Sequence, residues 1–121
     1  MTITLWIING LLALLFLAAG SMKLARPKAA LVTNGMGWAQ DFSDGNVKLI
    51  GLAEFLGGLG LILPFALGIT PVLTPIAAVC LAIIMVGATL THARRKESPM
   101  GSAVLGLLSA VSGVIGFVVV L

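Results

Sequence analysis

Four stretches of this chain, residues 3–24, 47–65, 71–92 and 100–121, are apolar almost without interruption and account for most of its 121 residues. A helix needs about 20 apolar residues to cross a bilayer, so each stretch is long enough to span. Strands of a membrane barrel would alternate apolar and polar residues in segments of ~10. These runs do not alternate, and helices are predicted. Apolar residues make up 60% of the chain and charged residues 9%, whereas a soluble domain carries roughly a quarter charged residues. A soluble globular protein is therefore excluded. The expected fold is all-α, an integral membrane four-helix bundle formed by residues 1–121 as one domain.

The seven Lys/Arg and four Asp/Glu are too few and too scattered to form a nucleic-acid surface. Their placement predicts an orientation. Lys23, Arg26, Lys28 and Lys48 flank the first connection, and Arg94, Arg95 and Lys96 fill the third. No charged side chain lies at either terminus or in the turn around residues 66–70. By the positive-inside rule both basic loops are cytoplasmic and both termini face outward. Because no basic residue precedes the first apolar run, it does not resemble a secretory signal and is expected to be retained. Pro64, Gly68, Pro71 and Pro75 punctuate the outer turn, with Pro71 expected to start the third helix. The longer cytoplasmic loop, residues 25–46, reads as an interfacial segment or a lid. The one cysteine, Cys80, excludes an internal disulfide, a CxxC pair and a cysteine-built metal site. No metal is expected.

Helical spacing groups the few polar residues. Asn9, Phe16, Gly20 and Lys23 fall nearly on one face of the first helix, and Gly51, Glu54 and Gly58 on one face of the second. Small residues there admit a neighbouring backbone and turn Glu54 into the bundle. In the third helix Met85, Ala88, Thr89 and His92 form a stripe. The fourth reads as a packing helix, with Ser102, Gly106 and Ala110 on one stripe and Ser112 and Gly116 on another. Lys23, Glu54 and His92 thus converge from three helices on the inner leaflet. A carboxylate at membrane depth costs ~2.5–3.5 kcal/mol on insertion scales, which argues for a compensating role.

Each residue also has a plainer explanation. Glu54 is either a structural carboxyl, hydrogen-bonded or paired with Lys23, or a ligand-binding or proton-handling group. Lys23 either snorkels to headgroups or joins the site. His92 is an interfacial or an active histidine. Asn9 reads as interhelical glue, Met85 as a gap-filler or a wall of the site, and Trp6 as an interfacial anchor. Trp38 reads as an anchor or a cap over a cavity.

Three blocks resemble the DoxX-like family of small bacterial membrane proteins. They are Ala19-Gly20-Ser21-Met22-Lys23-Leu24, the run from Gly51-Leu52-Ala53-Glu54 through Leu63-Pro64, and residues 71–78 followed by Met85-Val86-Gly87-Ala88 and His92. The resemblance covers nearly the whole chain. It implies a four-helix membrane bundle in the bacterial cytoplasmic membrane, a link to quinone-dependent sulfur oxidation or other membrane redox complexes, and attention to Lys23, Glu54 and His92. The absence of a cysteine pair argues against direct thiol exchange.

Three functions are therefore expected to compete. The first is an accessory role in a membrane redox process: a lipophilic ligand, a quinone being the candidate, binds an inner-leaflet pocket of Lys23, Glu54, Met85, Thr89, His92 and Trp38. The second is a membrane-embedded acid/base enzyme, such as an isomerase, using Glu54 and His92. The third is a structural or assembly subunit that forms homo-oligomers or engages a redox partner through the small-residue faces of the last helix.

Overall fold

A computed structural model describes residues 2–26, 28–33, 39 and 42–120. These residues form helices α1 (Thr2–Ala25), α2 (Lys28–Thr33), α3 (Asp44–Leu67), α4 (Leu73–Arg94) and α5 (Met100–Val120), and no strand occurs among them. α1, α3, α4 and α5 are long and apolar enough to cross a membrane. Leu14, Leu56, Ile83 and Leu107, one from each long helix, are among the many large apolar side chains left exposed. An apolar exterior around a bundle that also buries polar groups is the arrangement a bilayer selects.

The helix ends follow local chemistry. α3 starts three residues before the apolar run because the Ser43 side chain accepts the Asn46 N–H at 3.1 Å, and Asp44 stands in the positive first turn. It continues through Pro64 to Leu67, so Pro64 belongs to the helix and not to the turn. Gly68 ends α3 in the left-handed conformation at φ 68°, and Ile69 N–H bonds back to the Pro64 carbonyl at 3.2 Å. α4 begins at Leu73, later than the expected start at Pro71. Pro71 and Val72 form a turn whose carbonyls receive the N–H groups of Thr74 and Ile76.

Lipid offers no hydrophobic force between helices, so the bundle is held by close packing and polar contacts. α1 and α3 cross at Gly20 and Gly51. A Cβ at residue 20 would lie 2.6 Å from the Gly51 carbonyl oxygen and 2.7 Å from the Phe55 nitrogen. α3 meets α4 where Leu81 occupies the space that a side chain on Gly57 would need. α5 lays Gly106 on Met85, Gly113 on Val79 and Gly116 on Pro75. Ser109, Ser112, Gly113 and Gly116 are buried. Most of the small residues expected to offer α5 to a partner are therefore used inside the chain's own bundle.

Leu12, Phe16, Leu61, Ala78, Leu81 and Met85 form the apolar centre. At the charge-free end Asn9 donates to the Leu61 carbonyl at 3.0 Å and accepts from the Ser112 hydroxyl, which ties α1 to α3 and α5. Trp6 packs edge-on against Phe65, with ring centroids 5.3 Å apart. Between α1 and α3 the short helix α2 folds back, and Leu31, Ala39 and Val47 form a second small core with Met22 and Phe42 beside it.

Candidate functional site

The faces of α1 and α3 bring the two buried charges together. Gly20 and Gly51 let the helices approach one turn away from Lys23 and Glu54, whose side chains form an ion pair. Glu54 is 2% exposed and Lys23 7%. Lys23 therefore turns inward and does not snorkel. Lys48, which as a sequence feature only marks the loop, caps α1: its ammonium donates to the carbonyls of Lys23 at 2.8 Å, Leu24 at 3.2 Å and Arg26. Neutralising these C-terminal carbonyls fixes the end of α1 that carries Lys23.

The ion pair forms part of the wall of a cavity of about 480 Å³ that reaches all four long helices. Its apolar lining includes Phe16 and Ala19 from α1, Ile50 from α3, Ile84, Met85 and Ala88 from α4, and Leu105 from α5. Its polar lining comprises Lys23, Glu54, Thr91, His92 and Ser102, and Phe42 joins from the segment before α3. Leu15, Ile83 and Gly87 line the cavity and are also exposed on the outer surface. The rim thus lies on the apolar exterior, where a bilayer would sit. Apolar walls with a few convergent polar groups describe a site for a small amphiphile.

Of the residues expected at the site, Lys23, Glu54, Met85 and His92 all line this one cavity. Met85 also belongs to the apolar core. Thr89 does not line the cavity: its hydroxyl donates to the Met85 carbonyl at 2.7 Å. The cavity face of α4 is centred on Ile84, Ala88 and Thr91, and Thr89 lies roughly 140° around the helix from Ile84 at about 100° per residue. Trp38 lies outside the described residues. Thr91, Ser102 and Phe42 were not among the residues expected there. Spacing in α4 alone could have suggested Thr91, which follows Ile84 and Ala88 at i+7 and i+3.

α4 ends in a Schellman turn. Lys96 adopts φ 59°, its N–H bonds to the Ala93 carbonyl at 3.1 Å, and the Glu97 N–H bonds to the His92 carbonyl at 2.8 Å. This turn folds Glu97 over His92, so that Glu97 Oε1 stands 3.2 Å from His92 Nδ1 and 3.3 Å from Arg95 Nε. Among the described residues no group of three or more His, Cys, Asp or Glu could hold a metal ion.

The sequence model of the DoxX-like family matches residues 7–119. No curated protein and no solved structure matches the chain.

Proposed function

The chain belongs to the DoxX-like family and is a small multi-pass integral membrane protein, and on that basis we propose that it binds a lipophilic small molecule with a polar head in the cavity beside Lys23 and Glu54. One observation carries this: a 480 Å³ cavity with apolar walls has its rim on the bundle's apolar exterior and a buried ion pair in its lining. Such a ligand enters from the bilayer, lays its chain against Phe16, Ile84 and Leu105, and presents its head to Lys23, Glu54 and His92. A quinone fits this description, and the role is that of an accessory to a redox process in the bacterial cytoplasmic membrane. The basic end of the bundle faces the cytoplasm, as the charge bias requires.

The test is organic extraction and mass analysis of protein purified in mild detergent. Wild type retains a lipophilic molecule in stoichiometric amount, and Glu54→Gln, checked for helicity, loses it. Absence of any retained molecule from well-folded wild type overturns the proposal.

A second function is supported by one specific feature, the presence of Glu54 and His92 in the lining of the same cavity. Each has its own partner, Glu54 on Lys23 and His92 on Glu97, and an acid and a base facing one bound molecule suit proton transfer at two of its positions, as an isomerase requires. Turnover of the extracted molecule by wild type but not by His92→Gln distinguishes catalysis from binding. An assembly role through α5 draws no comparable support, because its buried glycines are already packed against α4.

A further inference from the structure

Glu97 lies in the loop after α4, where a carboxylate would ordinarily serve only solubility. The Schellman turn gives it a different position. In that motif the residue two beyond the cap lies over the residue three before it, and an apolar contact commonly joins them. Here those positions are Glu97 and His92, and a carboxylate meets an imidazole at 3.2 Å. A carboxylate only accepts hydrogen bonds, so a neutral imidazole beside it must carry its proton on Nδ1. Nε2 then keeps its lone pair. Arg95 Nε, 3.3 Å from the same Glu97 oxygen, adds an ion pair that favours the carboxylate's charged form at this position.

We infer that Glu97 is a positioning residue that makes His92 a hydrogen-bond acceptor toward the cavity, so that the site prefers amphiphiles whose head carries an O–H donor, a phenol or an alcohol. This rests on the cavity being a ligand site and narrows what it takes. A hydroxyl head accepts from the Lys23 ammonium and donates to His92 Nε2. A head with only carbonyl or ether oxygens sets acceptor against acceptor at His92 and leaves its lone pair unsatisfied. Among quinones, the dihydroxy form is preferred over the oxidised form.

The chain has a single histidine, so ¹⁵N-histidine labelling reports this ring alone. At alkaline pH wild type shows the Nδ1–H tautomer. Glu97→Gln, whose side-chain carbonyl still accepts, keeps it, and Glu97→Ala reverts to Nε2–H. Binding is read with para-dodecylphenol and its methyl ether on the full chain in detergent. The phenol binds about tenfold tighter in wild type and Glu97→Gln, near the upper end of one hydrogen bond's net worth, and the ratio falls to near one in Glu97→Ala.

An Nε2–H or doubly protonated ring in wild type, or a tautomer indifferent to Glu97→Ala, overturns the inference. Equal binding of phenol and ether with the Nδ1–H tautomer in place overturns the selectivity but leaves the cavity as a ligand site. Binding of neither probe, with no retained molecule in the extraction, removes the ligand site and the inference with it.

Discussion

Lys23 of α1 and Glu54 of α3, 31 residues apart in sequence, form a buried ion pair at the point where two glycines let their helices touch. The pair is at once structural and part of a cavity wall. The two explanations that the sequence allows for Glu54, a paired structural carboxyl and a ligand group, are therefore not exclusive. Pairing makes a charge tolerable at membrane depth, and the cavity makes it accessible to a ligand.

Breaking the pair from one side should cost more than removing it entirely. Lys23→Met or Glu54→Leu leaves one buried charge without its partner and lowers stability by about 3–5 kcal/mol. The double replacement recovers most of that loss. Thermal unfolding in detergent of the two single variants and the double variant checks this, and a double variant as unstable as the sum of the singles would show the pair to be unimportant.

Gly20 tolerates no side chain. A methyl there meets backbone atoms of α3, which cannot move as a side-chain tip can, so Gly20→Ala destabilises by about 1–3 kcal/mol. A Cβ added to Gly10 on the same helix would have no atom within 4 Å, and Gly10→Ala leaves stability unchanged or raises it. Denaturation of the two variants side by side separates close packing from helix propensity.

Lys48→Met removes the donor to three carbonyls at the end of α1. A loss of about 1–2 kcal/mol is expected, with faster amide exchange confined to the last turn of α1. Uniformly faster exchange would indicate that Lys48 supports the whole bundle and not this one end.

Lys96 is strained by its left-handed φ of 59°. Lys96→Gly relieves that and raises stability by about 1 kcal/mol, whereas Lys96→Val lowers it. Measured melting temperatures for the pair test whether the turn that folds Glu97 onto His92 is built as described.

The spanning helices were legible because a run of about 20 apolar residues has few alternatives. The buried faces of α1 and α3 were legible because Gly20, Gly51 and Gly58 mark a close approach that larger residues forbid. The rotation of α4 was not. Met85, Ala88, Thr89 and His92 make a regular stripe, but the helix is turned so that Met85, Ala88 and His92 line the cavity together with Ile84 and Thr91 while Thr89 does not, and that rotation follows from where Gly106, Gly113 and Gly116 of α5 press on α4. The same contacts consume the α5 surface that sequence alone leaves open to a partner. The role of Glu97 was hidden for another reason. Lysine carries no signal for a left-handed cap, and without that turn Glu97 would remain a solvated loop residue.

Occupancy of the cavity beside Lys23 and Glu54 by a lipophilic molecule is tested most directly by photolabelling in liposomes. With a diazirine-bearing alkyl phenol, labelled peptides should concentrate on the cavity segments of α4 around residues 83–92 and of α1 around residues 15–23, and Ala88→Phe, which fills the cavity, should abolish that concentration while helicity is retained. Labelling spread evenly over the lipid-facing residues of all four long helices, and unchanged by Ala88→Phe, would contradict it.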